Sequence, residues 1–95
     1  MTTYYEILHH VPVNATSINT ALWHIERELM DRYGTDTAAR EIAPLRRYID
    51  TGRASTEFLY RLVNKNKPFM VARKLHVGGT DEEIIKRIKS YLGTE

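Results

Sequence analysis

The chain has 95 residues, which suits one domain with a modest core, and its 42% hydrophobic and 27% charged residues are ordinary for a folded protein. It contains no cysteine, so disulfides, thiolate metal sites and a cysteine nucleophile are excluded. No apolar run approaches the ~20 residues of a membrane helix, and the N-terminus does not read as a signal peptide, so the expected location is the cytoplasm.

The net charge of +2 conceals an uneven distribution of charge along the chain. Residues 1–39 carry two basic and five acidic side chains, residues 40–79 carry nine and three, and residues 80–95 carry three and four. The three segments therefore have net charges of −3, +6 and −1. A basic middle segment of this kind either meets an anionic partner or forms a solvated helix face.

The first predicted element is a short helix at about residues 4–9, because Thr3 and Glu6 have the spacing of a capping box. A loop is expected to follow up to Asn14, since Pro12 disfavours helix at the residue before it.

The second predicted helix runs from about residue 17 to residue 33. Thr16 or Ser17 can cap its N-terminus, and Gly34 can end it. Its apolar residues recur at helical spacing and form one stripe, which consists of Ile18, Leu22, Ile25 and Leu29. We expect the last two of these to be buried between the second and third helices.

The third predicted helix spans about residues 38–50 and contains Pro44. A proline in mid-helix removes one hydrogen bond and costs roughly 3 kcal/mol. We therefore expect a disturbed first half, the alternative being a helix that begins near Ala43. The Asp-Thr-Gly sequence at residues 50–52 is expected to end it.

Two less regular segments come next. Ser55 is expected to cap a helix whose apolar face is formed by Phe58, Leu59, Leu62 and Val63. After a turn at residues 64–68, the stretch 69–77 alternates like a strand but also fits a helix, and both interpretations stay open.

The last predicted helix begins with a capping box formed by Thr80 and Glu83 and is expected to end at Gly93. Its buried stripe is predicted to consist of Ile84, Ile85, Ile88, Tyr91 and Leu92. Together the patterns predict an all-α, mainly helical fold in a single domain that covers residues 1–95.

The opening helix and its place ahead of a long second helix carry a family resemblance. Residues 4–8 read Tyr-Tyr-Glu-Ile-Leu, which resembles the start of a J-domain, the DnaJ-like co-chaperone domain. The resemblance covers roughly residues 3–63. It implies a J-like three-helix core, to which residues 69–95 add a C-terminal helical extension.

The signature of that family is altered in this chain. Where J-domains have a His-Pro-Asp loop, the chain has Gly34, Thr35 and Asp36. J-domains also use a basic second helix to engage the heat-shock ATPase, whereas the second helix here is acidic. The resemblance therefore implies the scaffold of a J-domain without stimulation of the ATPase.

Patterns typical of catalysis or metal binding are weak. His24 and Glu28 lie one turn apart on the second helix, but two ligands do not close a zinc site. No nucleophile and base set, Walker loop or dinucleotide fingerprint is present in the sequence. We expect no enzyme activity, no cofactor and no metal.

The basic middle segment is the predicted site of partner binding. Its elements are joined by short turns, and seven basic residues are expected to form one face: Arg40, Arg46, Arg47, Arg53, Arg61, Lys65 and Lys67. We interpret the chain as a non-catalytic accessory or adaptor protein that binds another protein through its J-like scaffold. The alternative is a small basic DNA- or RNA-binding protein, since phosphate contacts need only such charges.

Overall fold

The computed structural model describes residues 12–64, 67–75 and 78–93, and within these ranges the chain forms helices and no strand. The predicted all-α class is therefore confirmed. The helix predicted at residues 4–9 lies outside the described residues. The helices are α1 (Ala15–Tyr33), α2 (Thr35–Asp50), α3 (Thr56–Val63), α4 (Lys67–Leu75) and α5 (Asp81–Leu92).

Helix α1 begins with a reciprocal cap. The Asn14 side chain accepts a hydrogen bond from the backbone N–H of Ser17 at 2.9 Å, and the Ser17 hydroxyl accepts one from the backbone N–H of Asn14 at 2.9 Å. The predicted cap at Thr16 or Ser17 was wrong, because Ser17 acts as the third helical residue of a box that Asn14 opens. The predicted burial of Ile25 and Leu29 is confirmed.

A single residue, Gly34, joins α1 to α2. It has φ 95° and ψ 165°, its N–H donates to the carbonyl of Met30 at 3.0 Å, and its own carbonyl accepts from Ala38 at 3.1 Å. Glycine adopts this φ readily because it has no Cβ, whereas other residues are strained there. The chain therefore passes from one long helix to the next in one residue, and α2 packs against α1.

Helix α2 is continuous from Thr35 to Asp50, so the start predicted near residue 38 came three residues too late. Pro44 lies inside the helix and is buried. Proline has no N–H, so the carbonyl of Arg40 loses its helical partner. Burial of Ile42 and Leu45 on either side of this point offsets that loss.

The next two helices settle an ambiguity in the sequence. The predicted cap of α3 is confirmed, since the Ser55 hydroxyl accepts a hydrogen bond from the N–H of Phe58 at 3.1 Å. The ambiguous stretch is helical up to residue 75, and residues 76–77 lie outside the described ranges. The buried residues of α4 fall at helical rather than strand spacing, because Val71 and Leu75 are buried while Phe69 is 44% exposed.

Helix α5 begins and ends as predicted. The Thr80 hydroxyl accepts a hydrogen bond from the N–H of Glu83 at 3.3 Å, and Gly93 ends the helix in the left-handed conformation. Its buried residues are Ile84, Ile85, Ile88 and Leu92. The predicted burial of Tyr91 was wrong, because this side chain is only partly buried against the core.

The described helices share one hydrophobic core. Helix α1 packs against α2, α3 and α4, and α5 packs against the same three helices. The contact between α2 and α5 positions the groove described below. None of the described helices has the combination of length and apolarity that crossing a membrane requires.

Candidate partner-binding groove

A groove of about 540 Å³ lies between the C-terminal half of α2 and one side of α5. Apolar side chains of Pro44, Tyr48 and Ile85 contribute to its lining. Tyr48 and Ile85 are each 9% exposed, so they form a floor and not a projecting surface. The floor is thus a small apolar area at the bottom of an open groove.

Charged side chains form the rim of this groove, and basic ones outnumber acidic ones. The α2 side supplies Arg47 and, just beyond the helix, Arg53, whereas the α5 side supplies the other cations and the acidic groups. Such an excess of positive charge attracts anionic groups. The rim consists of Arg47, Arg53, Lys86 and Lys89 with Asp81 and Glu82.

One ion pair spans the groove. The guanidinium of Arg47 on α2 donates to the carboxylate of Asp81 at the start of α5. The two side chains are 61% and 53% exposed. Ion pairs with such exposure contribute roughly 0–1 kcal/mol, because water and salt screen them. A competing carboxylate can therefore displace Asp81 from Arg47 at little cost.

The Tyr48 ring on the groove floor is held from two directions. It packs edge-on against the Phe58 ring, with the ring centroids 5.2 Å apart. The Lys89 ammonium lies 4.9 Å from the Tyr48 ring centroid, a distance typical of a cation–π interaction. A ring fixed by Phe58, with a cation over its face, gives the floor a defined shape.

Two of the seven predicted basic residues, Arg47 and Arg53, line this groove. Sequence reasoning missed their neighbours Lys86 and Lys89, because these belong to a C-terminal segment whose net charge is −1. The sequence does place both lysines on the polar side of an amphipathic helix. That placement does not show which helix lies opposite.

The other predicted basic residues do not line the groove, and the described ones lie on α2, α3 and α4. Arg46 lies 3.8 Å from Glu26 of α1, and Arg61 pairs with Glu57 within α3 at 3.1 Å. Arg40 is exposed on α2. The Lys67 ammonium of α4 lies 5.9 Å from the Tyr91 ring centroid on α5. Lys65 is outside the described residues.

The three residues at the position where the resemblance places the His-Pro-Asp sequence do not form a loop. Gly34 is the junction between the helices, and Thr35 and Asp36 lie in the first turn of α2. The Arg32 guanidinium donates to Glu28 on the preceding helix at 2.7 Å. That hydrogen bond raises the pKa of Arg32 above its ordinary value. The chain therefore has a one-residue junction at the position where J-domains have a loop.

A row of exposed aromatic rings lies on α1 and α4, away from the residues that line the groove. Trp23 is 51% and Phe69 is 44% exposed. The His24 ring lies between them, with centroid distances of 5.0 Å to Trp23 and 5.6 Å to Phe69. Within the described ranges no cluster of three or more metal-ligating side chains occurs, so His24 and Glu28 are not joined by a further ligand.

Comparison with known proteins finds no matching family model, no matching curated protein and no matching solved structure. The described helices and the groove define a small all-α domain that carries a cationic groove with an apolar floor.

Proposed function

We propose that the chain is a non-catalytic adaptor that binds an acidic surface of another protein, with the cytoplasm as its compartment. The observation that carries this proposal is the groove between α2 and α5, where basic side chains surround an apolar floor. Protein interfaces combine an apolar centre with a polar rim, and opposite charges across the rim guide the partner into place.

The lining of the groove supports a binding role over a catalytic one. Among the described residues that line it there is no histidine or cysteine to serve as a base or nucleophile. The hydroxyl of Thr51 donates to the carbonyl of Tyr48 at 3.1 Å, which engages it in the end of α2. Catalysis needs a nucleophile beside a base, whereas in the described lining the Thr51 hydroxyl is bonded to the backbone and the Asp81 carboxylate to Arg47.

A protein partner is better supported than DNA or RNA. Nucleic-acid affinity depends on several phosphate contacts along an extended cationic surface. Arg46 and Arg61 lie outside the lining of the groove, beside Glu26 and Glu57, and these carboxylates lower the local excess of positive charge. The apolar floor suits an amino-acid side chain better than a sugar-phosphate backbone.

The J-like scaffold remains part of this proposal, but stimulation of the heat-shock ATPase does not. J-domains engage the ATPase through a His-Pro-Asp loop, and this chain has Gly34 at a one-residue junction instead. We expect the purified protein to leave the ATPase rate unchanged. A single-turnover ATPase assay checks this, and clear acceleration contradicts it.

Charge reversal in the groove tests the proposed function. We expect the double variant Arg53→Glu and Lys86→Glu to lose the partner in affinity capture from the host cell, because it converts two attractive rim charges into repulsive ones. The matched control is Arg40→Glu, which reverses an exposed charge on α2 outside the groove. Captured proteins are identified by quantitative mass spectrometry after nuclease treatment.

The outcomes separate the two functions. The proposal requires a protein that the wild type and the Arg40 variant retain and the groove variant loses. Nucleic-acid binding instead predicts that log affinity for duplex DNA falls linearly with log salt, with a slope of about −0.9 per neutralised phosphate. A steep slope that disappears in the groove variant contradicts the adaptor proposal.

A further inference from the structure

We infer that the groove binds a peptide segment of the partner in which carboxylates flank one apolar side chain. This inference rests on the proposed function and specifies the chemistry of the partner at the same site. It follows from the arrangement of the floor, from the distribution of cations over both walls and from the ion pair that crosses the groove.

The floor calls for an apolar side chain. Pro44, Tyr48 and Ile85 present carbon atoms at the bottom of a groove of about 540 Å³, which is within the ~300–1,000 Å³ typical of ligand pockets. A purely acidic segment would leave this surface in contact with water or place charges over it. A leucine-sized side chain removes the apolar surface from water and adds affinity.

The positive charges on the two walls favour carboxylates on both sides of that apolar side chain. Arg47 and Arg53 lie on the α2 wall, and Lys86 and Lys89 lie on the α5 wall. Arginine can bind a carboxylate with two parallel hydrogen bonds, which favours carboxylates as partners of the α2 wall. A segment that crosses the groove meets cations before and after its apolar residue.

The Arg47–Asp81 pair shows how a carboxylate binds here. The Asp81 carboxylate pairs with the Arg47 guanidinium within the same chain, and both side chains are more than half exposed. A partner carboxylate and Asp81 therefore compete for the same guanidinium. Removing the charge of Asp81 is therefore expected to strengthen binding of the partner. If Asp81 instead contacted the partner directly, removing its charge would weaken binding.

Three synthetic peptides test this inference. The probe is a fluorescein-labelled, capped peptide of sequence Glu-Glu-Asp-Leu-Glu-Glu. The first comparison peptide has serine in place of leucine, and the second has glutamine in place of every acidic residue. Fluorescence anisotropy at low salt measures their affinities, and backbone amide shifts in ¹⁵N NMR spectra locate the bound probe.

We expect the probe to shift the amides of Tyr48 and Ile85 and the serine peptide to bind at least about fivefold more weakly, since an apolar contact is lost. The glutamine peptide should bind at least about tenfold more weakly. Asp81→Asn should strengthen binding of the probe by about two- to fivefold. Circular dichroism confirms that this variant keeps its helices.

Equal affinity for the leucine and serine peptides overturns the apolar anchor, and equal affinity for the glutamine peptide overturns the role of the carboxylates. Weaker binding by Asp81→Asn overturns the competition at Arg47. Absence of binding at millimolar probe, or tighter binding of an equally charged oligonucleotide, overturns the inference as a whole. The capture experiment with the groove variant still decides the proposed function in each case.

Discussion

Replacing Leu29 with alanine is expected to lower the free energy of unfolding by about 2–5 kcal/mol. Leu29 is 0% exposed, and it lies on α1, which packs against α2, α3 and α4. Truncation removes buried carbon atoms and leaves a cavity that the surrounding helices fill only in part. Urea unfolding followed by circular dichroism measures the loss.

The neighbouring residue supplies a matched control for this experiment. Met30 follows Leu29 on the same helix and is 42% exposed. Met30→Ala should change the free energy of unfolding by no more than about 0.5 kcal/mol, as exposed substitutions usually do. A loss below about 1 kcal/mol for Leu29→Ala would mean that the stripe of α1 is not the centre of the core.

Replacing Gly34 with alanine is expected to lower the free energy of unfolding by about 1–3 kcal/mol. The residue has φ 95°, and no atom lies within 4 Å of the position that a Cβ would take. The cost therefore comes from backbone strain and not from a clash. Thr35→Ala is the control, since Thr35 is exposed in the first turn of α2 and has helical backbone.

The same strain bears on the comparison of Gly34, Thr35 and Asp36 with the His-Pro-Asp loop of J-domains. A histidine at position 34 would have to adopt the φ of 95° that Gly34 has, so the one-residue junction is incompatible with an unstrained His-Pro-Asp sequence. If Gly34→Ala and Thr35→Ala unfold at the same denaturant concentration, the junction relaxes freely and this explanation is wrong.

The helices with a clear apolar stripe could be predicted from the sequence, whereas details that depend on neighbours could not. Helix α5 was predicted with its cap and stop because both signals are local. In α4 the exposed Phe69 added an apolar position that made the sequence alternate as in a strand, although the segment is helical. Pro44 delayed the predicted start of α2, because burial of its flanking residues against other helices is not visible in a local pattern.

The groove could be predicted only in part, because it depends on a contact between helices that are far apart in sequence. Arg47 and Arg53 were predicted from the charge of the middle segment, but Lys86 and Lys89 face them across the α2–α5 contact. The basic segment proved to be divided between this groove and internal pairs such as Arg46 with Glu26. Which charges are paired is decided by tertiary packing.

Photo-crosslinking in the host cell tests the proposed binding of an acidic protein most directly. A photoreactive amino acid replaces Lys86 in the groove, and in a matched control it replaces Arg40 on the exposed face of α2. The proposal predicts that position 86 crosslinks to an acidic protein segment, that Arg53→Glu removes this crosslink, and that position 40 does not form it. Crosslinking of position 86 to nucleic acid, or equal crosslinking from both positions, would contradict it.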